Sequence, residues 1–265
     1  MTGPGSGSRH RRVPAPLLQA IGVIAAVALW WLITGPLFGS RALVADFSPT
    51  RCVAGVRELL ADGILLADAS ASVFRLGAGL AVATVLGVAL GLVTGSSAAL
   101  DAMTRPVLLF LRMISPLSWA PVALGVFGIG DAPVIALVAA TAVWPVALAT
   151  ADGVRAVTPG HVMVARALGA GRAEVFGHVT WPSLRPRLLA GLRAGIGIAW
   201  VVLVPAEMLG VTSGLGYQIL NAKDQLAYHH ITALILVIGT LGYLIDIVAR
   251  WALRTPRERA QANTG

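Results

Sequence analysis

The chain has 265 residues, of which 57% are hydrophobic and 12% charged, and its mean hydropathy of +0.80 lies well outside that of an ordinary soluble domain. Its formal net charge is +8 and its pI about 11.1, yet the basic residues are scattered over loops rather than gathered on one face, which argues against nucleic acid as a partner. The composition is that of an all-α integral membrane protein whose solvent is lipid.

A helix that crosses the hydrocarbon needs about 20 apolar residues, and six runs reach that length. The first extends from Pro16 to Leu37, with Trp30 and Trp31 near one end as an interfacial anchor. It outlasts a signal h-region, and no small-residue cleavage site follows it. A more polar segment, Gly39 to Asp68, leads to a second span, Ala69 to Gly95. The third is read as Arg105 to Phe127, the fourth as Ala132 to Thr150, the fifth as Leu184 to Leu209 and the sixth as Ile231 to Trp251. This divides the chain into an N-terminal tail (1–15), a first helix with an extracytoplasmic segment (16–68), a core (69–254) holding a cytoplasmic loop (151–187), and a C-terminal tail (255–265).

Arginines near membrane ends are held on the cytoplasmic side. Arg9, Arg11 and Arg12 therefore place the N-terminus inside, and six crossings return the C-terminus there, in agreement with Arg250, Arg254, Arg257 and Arg259. Arg105, Arg155, Arg166, Arg172, Arg185 and Arg187 also fall inside, whereas Arg41, Arg51, Arg57 and Lys223 fall outside.

Sites for chemistry are sparse. Cys52 is the only cysteine, so no intrachain disulfide and no thiolate cluster can form. His229 and His230 lack acidic or cysteine ligands at metal spacing and read as a solvated loop pair, with no metal. Asp246, four residues before Arg250, reads as a local helical ion pair. Glu207 lies at the outer end of the fifth span beside Pro205, and there a charge facing a cavity and a charge with a structural partner fit equally well. Gly87, Gly91 and Gly95, like Gly191 and Gly195, recur at four-residue spacing and predict close helix packing.

In the third span Ser115, Ser118 and Trp119 flank Pro116, which frees backbone groups for a water-lined path or marks a packing kink. Arg112, about a turn earlier, is costly in a span and should face a cavity, a partner or the cytoplasmic boundary. The glycine-bearing loop from Gly210 to His230 reads as a simple turn, as an outer contact surface or as an outer gate.

The most telling segment is the polar interruption from Ala151 to Arg187. Thr158 at the N-cap and Pro159 at the first helical position predict a short helix running to Leu168, stopped by Gly169. Arg172 to Val179 predict a second short amphipathic turn, after which Trp181-Pro182 turns the chain back into the membrane. Such a pair is either a knob for another protein to grip or an interfacial pair lying on headgroups.

This segment resembles the EAA loop of ABC importer permeases: Glu-Ala-Ala, three residues, Gly, nine residues, Ile, one residue, Leu-Pro. Gly169, Val179 and Pro182 fall in register, and Ala165 keeps the second alanine, while Met163, Val164 and Trp181 replace the glutamate, the first alanine and the leucine. Arg112 to Pro121, Phe127 to Gly130, Ala206 to Leu209 and Ser213 to Tyr217 resemble the nitrate, sulfonate, taurine and bicarbonate branch. The resemblance covers roughly Ala69 to Arg254 and implies a type I importer permease fold in a bacterial-type inner membrane.

It further implies a permease that transports a small anion, delivered by an extracytoplasmic solute-binding protein, in a complex with a second permease subunit, as a homodimer, and with cytoplasmic ABC ATPase subunits. The ATPase-coupling residues would be Met163, Val164, Ala165, Arg166, Leu168, Gly169, Ala170, Val179 and Pro182, and the path residues Arg112, Ser115, Pro116, Ser118, Trp119 and Glu207. The chain has no Walker A sequence, and its single lysine, Lys223, follows no phosphate loop, so ATP and Mg are expected in the partner ATPase, with no catalytic site and no cofactor here. The rival readings are a scaffold and an ion-coupled secondary transporter; the latter would need intramembrane acids and repeated halves that the sequence does not offer.

Overall fold

A computed structural model of the chain describes residues 15–38 and 42–253, and the described residues form helices and short connections. Arg9, Arg11, Arg12, Arg41, Arg254, Arg257 and Arg259, which carry part of the orientation argument, lie outside the described residues.

The first helix, α1 (Ala15–Leu32), passes into a π-turn (Ile33–Leu37) around Pro36. Its end is pinned where the Trp30 indole donates to the Phe47 carbonyl at 2.9 Å, while Trp31 stays exposed. Two short helices follow, α2 (Ala42–Asp46) and the amphipathic α3 (Pro49–Ala61). The buried residues of α3, Cys52, Gly55 and Leu59, recur at helical spacing and face the bundle, and burial pushes the Cys52 thiol pKa up.

The core is three long helices: α4 (Ile64–Gly95), α7 (Asp131–Arg155) and α10 (Trp181–Gly210). Between the first two lie α5 (Ala98–Met113), a 3-10 turn (Pro116–Trp119) and α6 (Ala120–Phe127). Their inward faces meet in a cluster that includes Leu76, Ala83, Leu137, Val138, Ala142, Ala199 and Leu203. In lipid there is no hydrophobic drive between helices, so close van der Waals packing must hold such a bundle, and small residues make it possible.

Gly79, Gly87 and Gly91 of α4 face Val138, Val146 and Thr150 of α7, a constant offset of 59 residues, so the two helices run parallel. A methyl group on Gly87 would sit 2.8 Å from the Val146 side chain and 2.9 Å from the Val143 carbonyl oxygen. Helix α10 crosses the other face of α7 in the antiparallel sense, with Gly191 against Ala149 and Gly195 against Ala142. The four-residue glycine spacings are thus packing seams.

Parallel neighbours demand that the chain between them traverse the bundle's full depth. That return is the stretch read as one straight third span, and here the structure differs: α5 and the segment Pro116–Phe127 meet at an angle of 85°. Pro116 cannot donate a backbone hydrogen bond and disfavours a helical conformation at Ser115, which is extended, as is Ile114. Among the described residues five helices are individually long and apolar enough to cross a membrane, and the number is six when the bent pair is counted as one span.

The remaining spans extend the predicted ones by a few residues at their ends. The second predicted helical turn at 172–179 is not separate. Helix α9 (Arg172–Val175) continues through a π-turn (Phe176–Thr180) into α10, so Trp181-Pro182 is a point within a continuous rod rather than a turn. Nor is the segment from Gly210 to His230 a simple turn, because it holds α11 (Leu215–Asp224) and the start of α12 (Tyr228–Ala252). Asp246 and Arg250 of α12 form the expected ion pair.

The glycine seam makes a paired prediction. Gly91→Leu drives a side chain into Thr150 and the Ala147 carbonyl, whereas Gly77, on the same helix, has open space around it. Overpacking of this kind costs about 1–3 kcal/mol. We expect Gly91→Leu to lower the midpoint of thermal unfolding in detergent by several degrees and Gly77→Leu to leave it near wild type; equal midpoints for the two would remove the seam's structural role.

Candidate functional site

Two regions hold the polar and conformationally special residues, at opposite ends of α10. At its C-terminal end lies an ionic cluster built around Arg75, which is 2% exposed in the fourth turn of α4, with Asp131 on the cluster's exposed side. Its Nε donates to Asp131 Oδ1 at 2.7 Å, and Nη1 donates to Glu207 Oε1 at 2.8 Å and to the Ser213 carbonyl at 2.9 Å. Nη2 donates to Ser213 Oγ at 2.6 Å. Glu207 is fully buried and accepts from Ser72 Oγ and, at 3.0 Å, from the Gly216 amide.

The same cluster caps α11. The Gly214 amide donates to Asp68 Oδ1 at 2.6 Å, the Leu215 amide to Ser72 Oγ at 3.0 Å, and Gln218 Nε2 to Asp68 Oδ2 at 2.7 Å. The otherwise unsatisfied amides of a helix N-terminus thereby meet two carboxylates and a hydroxyl, which its partial positive charge favours. Gly214 has φ +103°, and a Cβ there would lie 2.5 Å from both Arg75 Nη1 and Glu207 Oε1, so both backbone and space require glycine.

Glu207 stands out in the sequence, whereas Arg75, Asp68, Ser72 and Asp131 belong to none of its motifs. The missed signal was a single arginine inside the second apolar run, whose cost in lipid calls for a buried acid elsewhere in the chain. Glu207 has no hydrogen-bond partner among Arg112, Ser115, Ser118 and Trp119; its polar partners are Ser72, Arg75 and the Gly216 amide.

Those other candidates gather at the break between α5 and α6. Arg112, in the last turn of α5, is exposed and makes no ion pair among the described residues; Ser115 and Ser118 are exposed and Trp119 half-exposed. Pro116 and Trp119, with Leu111, Ile114, Ala140 and Trp144, line a small cavity of about 100 Å³ beneath the bend.

At the other end of α10, α8 (Pro159–Ala167) stands away from the bundle. Thr158 occupies its N-cap position without a side-chain cap bond, and Pro159 is in the first turn as predicted. The helix ends at Gly169, whose φ is +86°. The Gly169 amide donates to Arg166 O and the Ala170 amide to Ala165 O, both at 3.0 Å, the paired bonds of a Schellman cap. Glu174 then accepts from the Gly171 amide at 2.8 Å, which starts the rod into α10.

Met163, Val164 and Leu168 are exposed apolar side chains, Leu168 at 84%, and Arg166, Gly169 and Pro182 are exposed beside them. Ala165, Ala170 and Val179 are half-buried. The base of the segment is fixed by charge: Arg155 pairs with Asp101 and Asp152, Arg105 reaches both acids, and Arg187 Nη1 donates to the Asp152 carbonyl at 2.9 Å.

A family model described as binding-protein-dependent transport system inner membrane component matches residues 83–257, which include both ends of α10 and the projecting helix. The chain belongs to that family. Among similar proteins, the bicarbonate transport system permease protein CmpB of Synechococcus elongatus is 35% identical, over 69% of this chain and 66% of the relative. The match thus spans about two thirds of that relative's length. The taurine transport system permease protein TauC of Escherichia coli is 30% identical over 87% of this chain and 86% of its own. The nitrate import permease protein NrtB of Synechocystis is 33% identical over 66% and 64%.

A solved chain of the MetNI methionine ABC transporter, crystallised in inward-facing conformations, shares the fold of this permease. Its TM-score is 0.52 at 20% identity, covering 69% of this chain and 93% of the other.

Breaking one side of a buried ion pair costs about 3–5 kcal/mol because the other charge is stranded. Arg75→Ala is therefore expected to destabilise the permease severely in a detergent unfolding assay. The double variant Arg75→Met/Glu207→Met should recover part of that loss, since it removes both charges and keeps the volume. A single Arg75→Ala variant as stable as wild type would show that the cluster does not hold the helix ends together.

Proposed function

We propose that this permease forms the membrane path of an ATP-driven importer for a small anion such as nitrate, bicarbonate or an organosulfonate. It lies in the inner membrane with both termini cytoplasmic. It assembles as a homodimer, receives solute from an extracytoplasmic binding protein, and couples to cytoplasmic ABC ATPases that bind the ATP and Mg. This chain then holds no cofactor and catalyses no reaction of its own.

The observation that carries this reading is α8: a short helix ended by a left-handed glycine, projecting Met163, Val164 and Leu168 while making few contacts with the bundle. Apolar side chains on a projecting helix are what a groove in a partner protein would take up. The continuity of α9, the π-turn and α10 ties that helix to a full membrane span. Met163, in the position of the family's glutamate, brings an apolar contact instead of a carboxylate.

The anionic solute is supported by the names of the relatives and by Arg112, a guanidinium without an ion pair among the described residues, at the break in the return span. Ion coupling is disfavoured because the carboxylates described within the spans are already engaged. Asp68 accepts two hydrogen bonds, Asp131 and Glu207 hold Arg75, and Asp246 holds Arg250.

Gly169 tests the docking role. A branched residue at φ +86° costs about 1–2 kcal/mol, whereas asparagine tolerates the left-handed region. We expect Gly169→Val to reduce co-purification of the ATPase and solute uptake in cells by at least several-fold, and Gly169→Asn to retain most of both. Uptake and assembly at wild-type levels in Gly169→Val would sink the docking role.

The path is tested at the break. With normal membrane levels and normal ATPase association, Arg112→Gln should raise the solute concentration needed for half-maximal uptake. Unchanged concentration dependence for nitrate, bicarbonate and taurine alike would remove Arg112 from the path.

A further inference from the structure

The end of the bundle opposite α8 carries a second convergence of polar side chains, unconnected with the Arg75 cluster. His229 and His230 stand in the first turn of α12, and α3 brings Glu58 to them from 171 and 172 residues earlier in the chain. Sequence spacing gives the two histidines no acidic neighbour. Helix packing supplies one, at a distance along the chain that no spacing rule reaches.

The geometry is specific. Consecutive residues on an α-helix point about 100° apart, yet these two imidazoles lie with ring centroids 4.2 Å apart and both turn Nε2 toward one carboxylate oxygen. The distances to Glu58 Oε2 are 3.3 Å from His229 and 2.9 Å from His230, and the ligand atoms all lie within 4.8 Å of one another. Zinc bonds of about 2.0–2.2 Å to nitrogen and oxygen place the ligand atoms of a tetrahedral centre roughly 3.4 Å apart. The two separations from Glu58 Oε2 already stand near that spacing.

The frame is held on both sides. Gly55, one turn before Glu58, lets α3 approach so closely that a Cβ there would be 2.9 Å from the His229 carbonyl. Phe47 and Tyr228 pack ring to ring at 5.9 Å, and Cys52 and Leu59 of α3 are buried in one cluster with Ala233 and Leu234 of α12. Glu58 is half-exposed and the histidines about a quarter exposed, which leaves an open side for water as a fourth ligand.

We propose that Glu58, His229 and His230 form a binding site for a first-row divalent cation of the zinc type, which clamps α3 to the first turn of α12. Two imidazoles and one carboxylate suit zinc, and also copper or nickel, better than magnesium or calcium, which prefer all-oxygen shells.

The experiment is titration of the purified full-length permease, carrying a tag without histidine, with zinc chloride in detergent, followed by calorimetry and thermal unfolding. The expected result is one saturable site per chain, at micromolar affinity or tighter, with a zinc-dependent rise in unfolding midpoint. Glu58→Gln, His229→Ala and His230→Ala should each weaken binding by on the order of tenfold or more and abolish the rise. His161→Ala, at the far end, should change neither.

Cobalt in place of zinc should give the visible absorption of a tetrahedral centre in wild type and in His161→Ala, and in none of the three ligand variants. Unfolding midpoints without metal check that each variant is folded. Absence of a saturable site, or a site that survives all three substitutions, overturns the proposal and leaves the cluster as a hydrogen-bonded strap.

Discussion

An arginine side chain in the membrane part of a helix must be neutralised by something that stays in place, and Arg75 sets that condition for the rest of the bundle. Its partners come from the first residue of α7, from near the end of α10 and from the loop before α11. One guanidinium therefore fixes where three other segments must lie relative to α4. The planar, five-donor fork explains why arginine serves here: it reaches Asp131, Glu207 and Ser213 in diverging directions, which a lysine ammonium could not do in the same geometry.

Fixing the ends of α4 and α7 side by side makes the two helices parallel, and everything between them follows from that. The seam can close because glycines of α4 meet Val138, Val146 and Thr150 without a Cβ in the way. The chain must then come back across the bundle in the 35 residues between Gly95 and Asp131, and it does so through a helix broken at Ile114 and Ser115. The break leaves the exposed Arg112, Ser115, Ser118 and Trp119 on the return limb. Path candidates and packing core are thus separate products of one topological demand.

Much of this was legible in the sequence because its causes are local. Apolar run length located the spans, four-residue glycine spacing located the seams, and Thr158, Pro159 and Gly169 bounded the projecting helix to within a residue. What escaped depends on contacts between distant segments. The Glu207 carboxylate meets Ser72 and Arg75 more than 130 residues away, and Glu58 meets His229 and His230 across an even longer stretch. The 85° bend escaped for a different reason: hydropathy averages over a broken helix as readily as over a straight one. The continuity of α9 into α10 was hidden by Trp181-Pro182, which reads as a stop. In fact proline is tolerated there, in the first turn of α10 after a π-turn.

That continuity gives the proposed importer a physical route between its two working ends. From Arg172 to Gly210 the chain is one helical rod of 39 residues, about 58 Å at the rise of an α-helix. One end begins beside the Schellman cap at Gly169 and the other carries Glu207 into the Arg75 cluster. A displacement imposed on α8 by a partner would be delivered along a covalent, hydrogen-bonded rod rather than through a chain of side-chain contacts. The π-turn at Phe176–Thr180 and the prolines at 186 and 205 are the positions where its backbone ladder is interrupted. Bending is easiest at those three points, so they divide the rod into four segments: α9 beside the Gly169 cap, a short piece up to Pro186, a long piece packed on α7, and a tip held by the Arg75–Glu207 ion pair.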